Sequence, residues 1–389
     1  MAVVGISTRP VCGVRDHALL LADALAREEL PCSLHWLSGG ERSLRAARSR
    51  VRTWTGALAS ELCSGRSEAI LWHYSVFAYS HRGVPVFVHP TVAALRRPRI
   101  PVITVMHELV YPWRRGGLRG GAWAVSQRAA LIEVMRASAA VIVTADFRAE
   151  WLASRPWLPR RPIAVAPVFS NLPRSEVKPP ADRAAPRIGL FGYALDPATI
   201  ALVADTLRAL WERGVEPRLT LLGAPGPRSG SADAWRRAAE SRGVADALSF
   251  SDTLPAQELA DALAACDVLL YADMMGPAAR KGTLAAALAS ARPVVAMEGR
   301  RRWPEFLDSG AARMVARTQR ALADALQALL ADAHARELLG ARGRAFAEQT
   351  MGVSRTAAAV RELLAQVLGG EDVQGRSERS ERQLEHATR

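Results

Sequence analysis

Four consecutive residues, Arg280-Lys281-Gly282-Thr283, stand where a loop gives way to a helical stretch. The apolar runs around them read as a buried strand over 268–271, a loop, a helix over 281–290 and a second strand over 293–296. The first backbone N–H groups of a helix have no intrahelical acceptor, and the helix dipole adds positive potential at the same end. With two cationic side chains beside them, such amides make a holder for a diphosphate. Lys281 draws attention for a further reason, since Lys178 is the only other lysine among 51 Lys and Arg.

Other candidate positions follow strands. His107 ends an apolar run in TVMHEL, ahead of a glycine-rich loop. At the carboxyl edge of a parallel sheet a histidine can bond a sugar hydroxyl or steady an oxocarbenium-like charge. Its competing role is to pin the following loop. Glu108 beside it is a weaker base. Gly13 precedes the first helical stretch, where a backbone without Cβ can approach a ligand, although a plain turn residue looks the same. Asp16 reads as a helix cap and His17 as a surface residue. Gly192 and Gly223 each end a strand in the second half, and Tyr193 reads equally as a cleft or a loop residue. Glu298 follows a strand, and Glu305 opens a short helix in WPEFLDSG. No Asp-x-Asp pair and no histidine cluster suited to a divalent ion stands out. No metal or other cofactor is therefore expected, because two cations and a helix N-terminus can neutralise a diphosphate.

These residues need a scaffold that brings strand ends together. Short apolar runs alternate with amphipathic stretches along the whole chain, the pattern of parallel sheets covered on both faces. Strands are expected over 3–7, 32–37, 69–74, 101–106, 139–144 and 163–166, and again over 187–191, 219–222, 249–250, 268–271, 293–296 and 312–315. Helices are expected over 14–29, 50–62, 84–95, 123–136 and 147–154 in the first series. In the second they fall over 197–213, 232–241, 256–265, 281–290, 319–331, 334–349 and 353–368. The fold class is therefore α/β, with two doubly wound, Rossmann-like domains facing a central cleft. The expected division is a domain over 1–171 that binds an acceptor, a proline-rich linker over 172–186 and a nucleotide-binding domain over 187–352. A C-terminal helix over 353–368 is expected to pack back on the first domain, ahead of a disordered tail over 369–389.

Charge is unevenly spread. Residues 1–180 carry 24 Lys and Arg against 12 Asp and Glu, most of the chain's net +13. Arg42, Arg45, Arg48, Arg50 and Arg52 form one cluster, and Arg96, Arg97 and Arg99 another. A third, Arg114, Arg115 and Arg119, lies between Trp113 and Trp123. Cations with interfacial tryptophans suit an anionic membrane surface, while the plainer alternative is a solvated arginine-rich face. No helix-turn-helix, zinc-finger or RNP-like pattern accompanies the charge, so nucleic acid is not an expected partner. No apolar run is long enough to span a bilayer, and the strand-like start argues against a signal peptide. Cys12, Cys32, Cys63 and Cys266 have no metal spacing and read as reduced thiols. The expected location is the cytoplasm, peripheral at the inner membrane face.

In the order of CGVRDHALLLADAL, VITVMHEL, PVFSN, LPAQELADALAACDVLLYAD, ALASARPVVA and WPEFLDSG, residues 1–368 resemble the GT-B glycosyltransferases of the retaining, nucleotide-sugar-dependent type. That resemblance implies transfer of a sugar from a nucleoside diphosphate to a hydroxyl acceptor: a glycan, a lipid-linked molecule or a natural product. It implies that Arg280, Lys281, Gly282 and Thr283 bind the donor, with Gly13, Gly192, Gly223 and Glu305 around it and His107, Arg280 and Lys281 catalytic. Two departures are visible. Many such enzymes carry a pair of glutamates eight residues apart, at positions that are Ala278 and Ala286 in this chain. The basic pair usual after the first strand of the second domain is missing from GYALDPAT. A sugar-nucleotide epimerase, drawing on Glu108, Asp273, Glu298 or Glu305, and a sugar-nucleotide-binding protein without turnover are the alternative readings.

Overall fold

The structure, a computed structural model, describes residues 1–369 except 8–11, 41–42, 114 and 181–183. The tail anticipated over 369–389 lies outside the described residues from 370 onward, as do Arg42 and Arg114. The chain divides into two compact units. The first joins Met1–Pro167 to the helix over 353–369, and the second is Val168–Gly352.

In the first unit the elements alternate from the start. They are β1 (Ala2–Ser7), α1 (Gly13–Arg27), β2 (Ser33–Ser38), α2 (Leu44–Leu62), β3 (Ile70–Ser75) and α3 (Val88–Leu95). β4 (Val102–Glu108), α4 (Gly117–Ala137), β5 (Ala140–Val143), α5 (Asp146–Ala153) and β6 (Ile163–Val165) complete the series. All six strands pair in parallel in the order β2-β1-β3-β4-β5-β6. The order reverses between β1 and β3, the point where ligands of open parallel sheets bind. Val4, Ile6, Trp72, Tyr74 and Met106 face one core with Leu58, Leu131 and Val134 from the helices. Within it the Trp72 Nε1–H donates to the Tyr79 hydroxyl at 2.7 Å. The last helix of the chain, α13 (353–369), buries Ala357, Val360 and Leu363 at helical spacing. Its Arg361 pairs with Glu28 at 2.9 Å.

The second unit holds β7 (Arg187–Phe191), α6 (Pro197–Glu212), β8 (Arg218–Leu222), α7 (Gly230–Glu240), β9 (Leu248–Phe250), α8 (Ala256–Ala264) and β10 (Val268–Tyr271). α9 (Gly282–Ala289), β11 (Val294–Met297), α10 (Pro304–Ser309), β12 (Arg313–Val315), α11 (Gln319–Ala331) and α12 (Ala333–Thr350) follow. Its parallel order is β12-β11-β10-β7-β8-β9, with the reversal between β7 and β10. A separate core gathers Ile188, Leu190, Leu207, Leu221, Trp235, Val268, Val295 and Leu326. Both units are thus doubly wound sheets of the Rossmann kind, as the alternation required.

Differences from the sequence reading sit at helix starts. α2 begins at Leu44, where Ser43 Oγ accepts the Ala46 N–H at 3.1 Å, an N-cap that brings the start six residues earlier. α4 begins at Gly117, although Gly116, Gly117, Gly120 and Gly121 all disfavour a helix. Tertiary contacts prevail there, because Trp123 packs edge-on against Tyr111 at 5.2 Å and Phe77 at 6.4 Å. The proline-rich segment is fastened to its own unit by Ser175 Oγ, which donates to Asp261 at 2.5 Å, and just ahead of it the Val168 N–H donates to Ala279 O at 2.7 Å.

Candidate active site

At the carboxyl edge of the second sheet, the loop from β10 to α9 is held from several sides. Asp273 accepts the Met275 N–H at 2.7 Å through Oδ1 and pairs with Lys281 Nζ through Oδ2. Arg300 and Arg301, after β11, donate their backbone N–H groups to Met274 O and Met275 O. Arg317, after β12, donates from Nη1 to Asp273 O at 3.2 Å and from Nη2 to Thr199 Oγ1 in the first turn of α6. Lys281 occupies the N-cap position of α9 without a capping side chain. The amides of Gly282 and Thr283 therefore head the helix with no acceptor of their own.

Gly192 brings the end of β7 against that helix start. Its φ is +76° and an added Cβ would lie 3.0 Å from Thr283 Cγ2, so only glycine fits without strain. Tyr271, at the end of β10, is buried with no partner for its hydroxyl. Burial first, then the Asp273 charge, push that hydroxyl's pKa above its ordinary range, while Arg280 opposes them. Arg280, Lys281, Gly282, Thr283 and Gly192 thus meet at one switch point. Gly223 lies at the neighbouring strand end, its N–H donating to Ser251 Oγ at 2.9 Å. Glu305 is exposed on α10, where it accepts from Thr350 Oγ1 at 3.4 Å, a partner on α12 rather than in 280–283. Ala278 and Ala286 are both buried. Tyr193 lies on the loop after β7, as one of its two readings has it, but its side chain is buried in the second core and not exposed to a cleft.

The carboxyl edge of the first sheet carries a different chemistry. The pairing of β3 with β4 shifts register, with Tyr74 opposite Met106 but Ser75 opposite Glu108. His107 is the extra residue, and a bulge of this kind re-aims side chains. Its Nε2 lies 3.1 Å from Nδ1 of His73, and Ser75 Oγ donates to Glu108 at 2.7 Å. His17 of α1 meets both rings, with centroids 5.0 Å from His107 and 5.7 Å from His73. Arg148, buried on α5, donates to His107 O at 2.6 Å and fixes the end of β4. Beyond His73, Trp36 lies across β1 because Gly5 leaves room, an added Cβ coming within 2.2 Å of the ring.

Burial dominates the titration of all three imidazoles. It pushes His107 down to about 3, with the Arg148 charge adding to it. His17 and His73 lie well below the ordinary imidazole value, from burial first and repulsion between the rings second. All three are neutral at pH 7. His17 is 3% exposed, so the expectation of a surface residue is corrected, and Asp16 makes no cap bond to its helix. Gly13 is the first residue of α1 and exposed.

Sequence reasoning passed over His17, His73, Arg148 and Arg317 as site residues, and considered Asp273 only as an acid or base of the epimerase alternative. The three histidines are separated by 56 and 34 positions in the chain, and only the sheet order unites them. Arg317 reaches Thr199, in the first turn of α6, from beyond β12 at the edge of the sheet.

α4 presents a third feature. Leu118, Ala122, Val125 and Ala129 recur along one side, with Leu118 97% and Val125 59% exposed. Trp113 is 54% exposed, with the Arg128 guanidinium 4.1 Å from its ring centre. Arg119 lies 4.7 Å from the centre of Trp123. Among the described residues no helix is long and apolar enough to cross a membrane.

Comparison with known proteins agrees with this architecture. Residues 185–332 match the model of the family "Glycosyl transferases group 1". No curated protein matches the chain by sequence. Among solved structures, a glycosyltransferase from Rickettsia africae is 10% identical over 94% of this chain and 98% of its own, with a TM-score of 0.68. A sucrose-phosphate synthase from Thermosynechococcus elongatus is 16% identical over 95% and 99%, with a TM-score of 0.65. The UDP-GlcNAc 2-epimerase from Neisseria meningitidis, bound to UDP-GlcNAc, is 11% identical over 94% and 100%, with a TM-score of 0.57. At such identities the likeness establishes the fold, which is GT-B.

Proposed function

We propose that the protein is a glycosyltransferase that moves a sugar from a nucleoside diphosphate to a hydroxyl acceptor. The observation that carries this reading is the meeting of Arg280, Lys281 and the free amides of Gly282 and Thr283 with the Gly192 turn, at the switch point of the second sheet. A diphosphate there would be met by two cations and a helix N-terminus, and Gly192 and Gly223 would let the donor lie close to the backbone. As the bond from the sugar carbon to the phosphate oxygen breaks, negative charge grows on the departing diphosphate. Fixed cations and amides stabilise that charge without reorganising, and no metal is required at the diphosphate. His107 is the residue proposed to act on the sugar, as a neutral imidazole held by His73 and Arg148. Gly13 and Glu305 complete the proposed donor contacts, and retention of anomeric configuration is the expected outcome.

The match over 185–332 supports transfer over epimerisation, as does the disposition of the carboxylates. Asp273 pairs with Lys281, Glu108 accepts from Ser75 and Glu305 accepts from Thr350. Three of the four groups an acid–base epimerase would use are thus already engaged. For the acceptor, the apolar stripe of α4 with Arg115, Arg119 and exposed Trp113 supports a lipid-linked molecule reached at an anionic, inner-face membrane surface.

A thermal-shift series with nucleoside diphosphates and their sugars tests the donor assignment. A ligand at 100 times its dissociation constant should stabilise by about 2.7 kcal/mol. Incubating the responding sugar nucleotide alone separates the alternatives. A transferase leaves its sugar configuration unchanged, whereas an epimerised product, or no response to any diphosphate, removes the proposal.

A further inference from the structure

Three imidazoles converge in the first unit, and the proposed transfer chemistry employs only one of them. One ring nitrogen from each of His17, His73 and His107 lies within 4.8 Å of the other two. The facing nitrogens of His73 and His107 are 3.1 Å apart. Two nitrogens on a tetrahedral zinc, bonded at about 2.0–2.1 Å, stand about 3.3–3.4 Å apart. Turning this hydrogen-bonded pair into two ligands of one ion takes a few tenths of an ångström of separation and a rotation of the rings, so that their lone pairs converge on the ion instead of facing each other. We propose that His17, His73 and His107 form a three-histidine site for zinc or a neighbouring first-row divalent ion.

The site is built on regular structure. Its ligands come from the first turns of α1, from β3 and from the bulge of β4, and Arg148 anchors the last of these through the His107 carbonyl. Ring contacts among all three histidines hold them in place, the His73 and His107 rings stacking at 5.4 Å. His73 is 1% exposed and His17 3%, so both rings are shielded from competing solvent. The donor set also chooses the ion. No carboxylate belongs to the cluster, whereas magnesium and calcium rely on oxygen ligands. Imidazole nitrogen suits zinc, nickel and copper, and a fourth position would fall to solvent. Without a metal, one proton lies between the facing nitrogens. On loading, that proton moves to the far nitrogen of its own ring, and both rings stay neutral.

This site lies in the first unit and does not depend on the donor assignment in the second, so its test uses binding alone. Chelator-treated full-length protein is titrated with Co²⁺, followed by visible absorption, and then with Zn²⁺, followed by calorimetry. The expected result is one ion per chain, tetrahedral d–d bands without thiolate charge transfer, and displacement of cobalt by zinc. His17→Ala and His107→Ala should each weaken binding beyond the roughly 10–100-fold typical of losing an outer partner of a ligand. His107→Asn serves if the alanine variant does not fold. Failure of the parent to bind stoichiometrically in the micromolar range overturns the proposal. So do thiolate bands, or affinity unchanged in the variants.

Discussion

Lys281 is less free than its place in the chain suggests, because Asp273 neutralises part of its charge. A phosphate arriving there must compete with a carboxylate already in contact. Lys281→Ala and Arg280→Ala should each raise the barrier to turnover by about 2–4 kcal/mol, some 30- to 1000-fold in rate. Asp273→Asn should leave the lysine freer and tighten diphosphate binding in a calorimetric titration. Weaker binding in that variant would show instead that Asp273 is needed to aim Lys281. The histidine trio supplies a prediction of its own. Unfolded imidazoles gain a proton near pH 6.5, whereas the buried ones resist it, His107 down to about 3. Below pH 6.5 the unfolded state therefore binds more protons, and stability falls with acidification through that window. Each histidine contributes at most about 1.4 kcal/mol per pH unit. Urea unfolding at several pH values between 7.5 and 5 measures the slope, and His17→Gln should make it shallower.

Two elements determine what these residues can do. α9 is short, apolar and uncapped by any side chain, so its function depends on the turn packed against its start. Gly192→Ala must adopt a left-handed conformation and crowd Thr283, at a cost of about 1–2 kcal/mol. The expected readout is a lower midpoint of urea unfolding together with weaker diphosphate binding; unchanged binding would detach the turn from the site. α4 exposes Leu118 and Val125 on one side, with Arg115 and Arg119 alongside. Sedimentation with anionic vesicles should decline as salt rises, since the cations are screened, and should be lost with the Leu118→Asp, Val125→Asp double variant. Because both positions face solvent, thermal stability should change by no more than about 0.5 kcal/mol at each.

At the scale of the whole molecule, the chain returns to its first unit after completing the second. α13 buries Ala357, Val360 and Leu363 within a unit that otherwise ends at Pro167. Val360→Asp would place an unpaired charge in that packing and should destabilise by more than about 3 kcal/mol. Hydrogen exchange should then accelerate across residues 1–167 and not across 168–352. Equal acceleration in both would mean that the two cores do not unfold separately. Charge is partitioned in the same sense, with the excess of arginine in residues 1–180 and the helix N-terminus proposed for the donor in the near-neutral remainder.

Hydrophobic periodicity alone determined the architecture, since twelve apolar runs separated by amphipathic stretches leave few alternatives to two covered parallel sheets. It also located residues 280–283 at a helix start and His107 at a strand end, because both are local consequences of where an apolar run stops. Tertiary structure decided the rest. Whether Lys281 has a partner depends on Asp273 folding back across a loop, and whether Thr199 meets a cation depends on Arg317 arriving from another strand. His17, His73 and His107 became neighbours only through strand order and one bulge. Periodicity records which face of a strand is buried; proximity between distant strand ends follows from the order of strands in the sheet, which no local pattern encodes.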